Sequence, residues 1–266
     1  MKKLHIGLIN IMPNAVEYEC LLRAALEDHQ QDVEIHCIRL ETHRYHSSQS
    51  GCMPYPSFFE LVERIDLDLL ILSGAPVEHL PYAEISYWQE LTTILGFAER
   101  RVRSVMGICF GGLALAKYLG VNKRVLPEKQ YGLFNFRLTP AGVRSLAGQG
   151  AEFHLPYSSW AELDAADVAR SGLEVVASCD QLGPGVLQSR DRKFFIVLGH
   201  PEYTADTLRA EWMRDQAKAL AYTHAFDHAS FERMRQQLRA EAGNLLAHWV
   251  STHLVPSNQP TSLVHE

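Results

Sequence analysis

The sequence predicts an α/β protein, a single domain whose mostly parallel sheet is flanked by helices. Three observations lead there. Short apolar runs recur along the chain, with the length of strands buried on both faces. Helical stretches alternate with them, the pattern of strand–helix–strand crossover units. And 266 residues, 47% of them hydrophobic and 21% charged, suffice to bury a large core.

The elements follow in order. "HIGLINI" (5–11) is a first buried strand, followed by a helix over 16–27, and "VEIHCIRL" (33–40) is the second strand. A Ser- and His-rich stretch, "ETHRYHSSQSGCMPYPS", comes next, and its part at 43–56 is long enough to be functional or mobile. "LDLLILSG" (67–74) is another buried strand, and "YWQELTTILGFAERR" (87–101) a helix. "RSVMGICF" (103–110) is a strand that passes at once into the helix "GGLALAKYLG" (111–120). Weaker strand patterns lie near 131–138, 173–178 and 184–189, and "FFIVLGH" (194–200) is a strand ending at His200. Helices over 204–222 and 229–250 close the domain. The expected layout is one domain over 1–250 and a polar tail over 251–266.

Composition narrows the function classes. A net charge of -6 without any Lys/Arg run argues against a nucleic-acid surface. No apolar run approaches the roughly 18 residues of a membrane span. The opening "MKKLHIGLINIMP" lacks the small-residue cleavage site of a signal peptide, so the expected location is the cytoplasm. The five cysteines (Cys20, Cys37, Cys52, Cys109, Cys179) are scattered, with no CxxC pair, which fits a reducing compartment. Cys37, His43 and His46 lie close in sequence, but their spacing fits no tetrahedral finger, so no metal is expected. There is no P-loop and no dinucleotide fingerprint after a strand. The partners expected are therefore small molecules, with no bound cofactor. The apolar side of the last helix reads as packing onto the domain or as a dimer contact, a homodimer being the default for a soluble enzyme.

Within this frame "GICFG" stands out. Gly107-Ile108-Cys109-Phe110-Gly111 is a G-x-C-x-G elbow with a strand before it and a helix after it. Such a turn presents a nucleophile, and its glycines let neighbouring elements approach closely. The helix N-terminus favours a thiolate, and the Phe110 amide N–H faces a developing oxyanion. "GHPEY" supplies a base, His200 at a strand end, with the carboxylate of Glu202 two residues on. Together they read as nucleophile, base and orienter. Ser73–Gly74, Cys109 and His200 all fall at carboxyl ends of strands, where open α/β sheets bind ligands.

Elbow and HPE together resemble the class I glutamine amidotransferase superfamily, whose "GICxG" and "HPE" hold a Cys-His-Glu triad. More particular segments, "LINIMPNAVEYECLLR", "LILSGAPVEHLPYAEISYWQEL", "LPEKQYGLF", "GHPEYTADTLRAEWMRD" and "GNLLAHW", resemble the homoserine O-succinyltransferase/O-acetyltransferase family of methionine biosynthesis. The likeness covers nearly the whole chain. It implies that Cys109 carries the acyl group from acyl-CoA, the co-substrate, with His200 as general base oriented by Glu202. It also implies that Lys129 and Arg214 bind substrate, with Ser158 at the middle of the family's "HSR" stretch. Glu78 sits where the family carries glutamate with acetyl-CoA and glycine with succinyl-CoA. A carboxylate there repels and crowds a succinyl carboxylate, so acetyl is favoured.

The chain departs from the family where the acceptor is expected to be held. Asn14 and Ala15 follow "NIMP" where the family has a lysine, and Tyr157-Ser158-Ser159 replaces "HSR". Serine or a related hydroxy amino acid is thus a rival acceptor to homoserine. A glutamine amidotransferase or γ-glutamyl hydrolase using the same triad is the rival activity, and a non-catalytic binding module the rival class.

Overall fold

The structure, a computed structural model, describes residues 3–27, 33–45, 55–146, 150–216, 226–240 and 245–253. Nine strands are present among them: β1 (Leu4–Ile9), β2 (Val33–Ile38), β3 (Leu69–Leu72), β4 (Ser104–Ile108), β5 (Lys123–Leu138), β6 (Glu152–Leu163), β7 (Glu174–Cys179), β8 (Gly183–Gln188) and β9 (Phe194–Val197). They form one sheet in the order β2-β1-β3-β4-β9-β8-β7-β5-β6.

The sheet is mixed. β2, β1, β3, β4 and β9 run parallel, and these are the apolar runs that the sequence marks most clearly. Every residue of β3, β4 and β9 is buried, as expected of strands covered on both faces. From β9 outward each strand pairs antiparallel with its neighbour through β8, β7, β5 and β6. The expected mostly parallel sheet is therefore one half of the sheet, β1–β4 with β9, extended by an antiparallel half.

The helices are α1 (Ala15–Glu27), α2 (Phe58–Val62), α3 (Trp88–Arg101), α4 (Phe110–Tyr118), α5 (Pro140–Ser145), α6 (Ala165–Ser171), α7 (Ala205–Gln216), α8 (His228–Ala240) and α9 (Leu245–Thr252). Of the helix expected over 229–250 the described parts are α8 and α9; residues 241–244 between them lie outside the described residues, as does the 217–222 end of the helix before it. α9 buries Leu245, Leu246, Trp249 and Val250, and the Trp249 indole donates to Ser104 Oγ on β4 at 3.2 Å. Its apolar side packs onto the domain. α8 and α7 close a second, smaller core in which Phe231, Met234 and Leu208 meet Tyr131 of β5.

β6, β5 before residue 131, and the short α2, α5 and α6 were not expected from sequence. β6, "EFHLPYSSWAEL", carries serines and a proline at buried positions, so its apolar pattern is faint. The expected polar tail and most of the stretch at 43–56 lie outside the described residues.

Candidate active site

The register of the sheet brings three strand ends together. Leu72 of β3 pairs with Gly107 of β4, and Ile108 with Val197 of β9, so Ser73–Gly74, Cys109 and His200 emerge side by side. Cys109 has φ 52° and ψ -114°, a left-handed backbone that a residue with a side chain rarely adopts. Two contacts hold it there. The Cys109 N–H donates to Val197 O at 2.8 Å, and its carbonyl accepts from Leu113 N at 3.0 Å, the first bond of α4. Close approach of β3 and α4 requires glycine at 111, because a Cβ there would sit inside the Leu72 carbonyl. Phe110 opens α4, so its N–H is among those without a carbonyl partner in the helix. A side chain on Gly74 would begin 3.5 Å from both Cys109 Cβ and His200 Cε1, so glycine leaves that approach open.

His200 is held from behind. Its N–H donates to Pro156 O of β6 at 2.8 Å, its ring stacks on Tyr203 with centroids 3.9 Å apart, and Nδ1 lies 2.8 Å from Glu202 Oε1. That leaves the other ring nitrogen for the thiol. Burial alone would lower the imidazole, but Cys109 and Glu202 outweigh it and hold His200 well above its ordinary range. Burial raises the Cys109 thiol, with His200 pulling the other way. Cys109 and His200 thus favour each other's charged forms, against the burial that opposes charge on both. Tyr18 of α1 is fully buried beside Glu202, and burial together with that carboxylate keeps its hydroxyl protonated.

Two further groups reach the sulfur. Glu78 Oε1 stands 3.9 Å from Cys109 Sγ, and the Ser158 carbonyl 3.7 Å. Glu78 is only 5% exposed, and burial raises its carboxyl above the ordinary range. Ser158 also links the nucleophile to a charge cluster, its Oγ donating to Glu211 Oε1 of α7 at 2.5 Å. Lys129 Nζ donates to the same Glu211 oxygen at 2.6 Å and to Asp215 Oδ2 at 2.8 Å. The β5–β6 register shifts between Val125 and Gln130, and this irregularity is what turns the buried Lys129 toward α7. Arg214 approaches Glu211 and Asp215 more loosely, at 3.7 and 3.4 Å, and its side chain is 58% exposed.

Comparison with known proteins bears on the chain as a whole. The family profile described as homoserine O-succinyltransferase matches residues 1–259. The chain belongs to that family. A homoserine O-acetyltransferase of Synechococcus elongatus is 34% identical over 223 residues, 83% of this chain and 75% of that protein. A homoserine O-succinyltransferase of Alteromonas mediterranea is 31% identical over 221 residues, 82% of this chain and 70% of that one. Relatives thus carry both donor names. Among solved structures, a glutamine amidotransferase of Methylobacillus flagellatus superposes with a TM-score of 0.63 at 16% identity, covering 100% of this chain and 99% of that one. At that identity the likeness speaks for the fold, which is that of class I glutamine amidotransferases.

With the family in hand, the residues expected from sequence can be placed. Cys109, His200, Glu202, Glu78 and Ser158 converge on one spot, and Phe110 presents the start of α4 to it. Lys129 and Arg214 join through Glu211, one residue further out. Lys129 differs from expectation in being shared between two carboxylates. Sequence reasoning missed Tyr18, Tyr203, Glu211 and Asp215. "EWMRD" looks like a solvated helix face, and only its docking on β5 and β6 buries the acidic pair. Among the described residues no helix is long and apolar enough to cross a membrane.

Proposed function

We propose that the protein is a homoserine O-acetyltransferase of methionine biosynthesis, working through an S-acetyl-Cys109 intermediate. Family membership supports acyl-CoA-dependent transfer to homoserine. The observation that carries the choice of donor is Glu78, a buried carboxylate 3.9 Å from the nucleophilic sulfur. An acetyl group ends in a methyl that needs little room there. A succinyl group would bring a second carboxylate against Glu78, and like charges set against each other cost several kcal/mol.

The steps follow from the geometry. His200 takes the thiol proton as Cys109 attacks the thioester carbonyl, and the oxyanion forms at the Phe110 N–H and the α4 N-terminus. The C–S bond to CoA breaks, and the CoA thiolate leaves with the proton that His200 returns. Homoserine then enters, its hydroxyl gives a proton to His200, and its oxygen attacks the acyl-enzyme carbonyl. Collapse releases the O-acyl amino acid, and Cys109 recovers its proton. Glu202 holds His200 in the tautomer that faces sulfur and stabilises the imidazolium between these transfers. Arg214, the exposed cation of the cluster, receives the amino-acid carboxylate, with Glu211 and Asp215 placed for its ammonium group. The unpaired state of the four described cysteines fits a cytoplasmic enzyme.

Steady-state kinetics of the wild type and of Glu78→Gly, with acetyl- and succinyl-CoA against homoserine and serine, tests this. The wild type should favour acetyl-CoA in kcat/KM by on the order of 10–100-fold. Glu78→Gly should shrink that ratio mainly by improving succinyl-CoA. A wild type that prefers succinyl-CoA removes Glu78 from donor choice, and preference for serine moves the acceptor assignment.

A further inference from the structure

Glu78 sits on the turn between β3 and the short 3-10 segment Tyr82–Glu84. Such a turn has few main-chain partners, so something else must hold it if its side chain is to keep one position. Within it Val77 N donates to Ala75 O and Leu80 N to Val77 O. The carbonyls of Glu78 and Leu80 both accept from a single side chain. Lys123, the first residue of β5, reaches across with Nζ 2.5 Å from Glu78 O and 2.7 Å from Leu80 O. The same ammonium lies 4.6 Å from the centroid of the Tyr82 ring, while the Tyr82 hydroxyl is tied to Leu113 O of α4 at 2.9 Å. The turn is therefore fastened to both β5 and the nucleophile's own helix. Burial lowers the Lys123 amine to about 8, with Glu78 opposing the shift. A lysine kept in such surroundings gives up hydration that two carbonyls and an aromatic face must replace.

We propose that Lys123 is a positioning residue for donor choice: it clamps the Glu78–Leu80 turn by two main-chain carbonyls and so holds the Glu78 carboxylate against the acyl site. Lys123 touches neither the thioester nor Cys109 and acts through Glu78. The inference rests on the assignment of Glu78 as the donor filter, and it adds the residue that makes a loop side chain selective. A glutamate on an untethered turn would swing aside from a succinyl group, which would lower the barrier that Glu78 poses.

The test uses the full chain with Lys123→Met, which keeps the length but loses the donors, and Lys123→Arg, which keeps donors and charge. Lys123→Met should lower the acetyl-to-succinyl ratio of kcat/KM by roughly three- to thirtyfold, the scale on which residues outside a site modulate it. Lys123→Arg should restore most of that ratio. In a Glu78→Gly background Lys123→Met should change the ratio no further, a dependence that general loss of structure would not produce. Should Lys123→Met keep the wild-type ratio while Glu78→Gly alters it, Lys123 is not the clamp. Should the two substitutions act additively on the ratio, the clamp is likewise refuted. Should Glu78→Gly itself leave the ratio unchanged, the donor-filter assignment fails and this proposal falls with it.

Discussion

His200 is the residue whose chemistry is most sharply set by its surroundings. A base must be neutral to take the thiol proton, yet Cys109 and, at 2.8 Å, Glu202 favour the charged imidazolium. The acid limb of the kcat/KM profile should therefore lie above the ordinary imidazole value of about 6.5. Glu202→Gln removes the anion that stabilises the imidazolium, so His200 should lose its proton at lower pH and the limb should move down. The same substitution should cost on the order of 10²–10⁴-fold in rate, since the base is no longer held in its working tautomer. A limb that stays in place would mean that Glu202 does not set the base. These two residues could be found in the sequence because two positions of separation at a strand end leave them little choice but to meet. Tyr18 and Glu211 could not be found, because their partners lie far along the chain and each sits in a stretch that reads as an ordinary helix.

At the scale of the element, the elbow trades stability for presentation of sulfur. A non-glycine residue held at φ 52° costs about 1–3 kcal/mol. Elsewhere glycine in place of alanine weakens a fold, but here the order should reverse. Cys109→Gly should melt higher than Cys109→Ala by about 2–4 °C per kcal/mol of relieved strain, with both variants inactive, as thermal melts of the two would show. Equal or lower stability of the glycine variant would mean that the elbow stores no strain. The elbow was legible because glycines at 107 and 111 flank a cysteine between an apolar run and a helix-forming run. β6 was not, because its buried serines turn to polar partners, Ser158 at the site and Ser159 on Ala161 of its own strand, instead of filling the core. The irregular start of β5 was hidden as well: Pro127 and the charged residues around it read as loop, and the β5–β6 pairing is interrupted between Val125 and Gln130, where Lys129 lies.

For the whole molecule, the parallel half of the sheet positions Cys109 and His200, and the antiparallel half brings Ser158 against Cys109 and sets Ser158 and Lys129 against the acidic pair of α7. Runs of Val, Ile and Leu announce the first half in sequence. The second half is built of strands whose side chains divide between the core, α7 and the site, so its alternation is blurred. Both halves meet at Cys109, where β6 lies against the sulfur through Ser158 O. The central claim is that this meeting point carries a covalent acetyl group. Intact-protein mass spectrometry decides it, with wild type and Cys109→Ala each mixed with acetyl-CoA, succinyl-CoA or glutamine and then chased with homoserine. A single acetyl adduct is expected on the wild type alone, cleared by homoserine. An adduct from glutamine and none from acetyl-CoA, or an acetyl adduct that persists in Cys109→Ala, would contradict it.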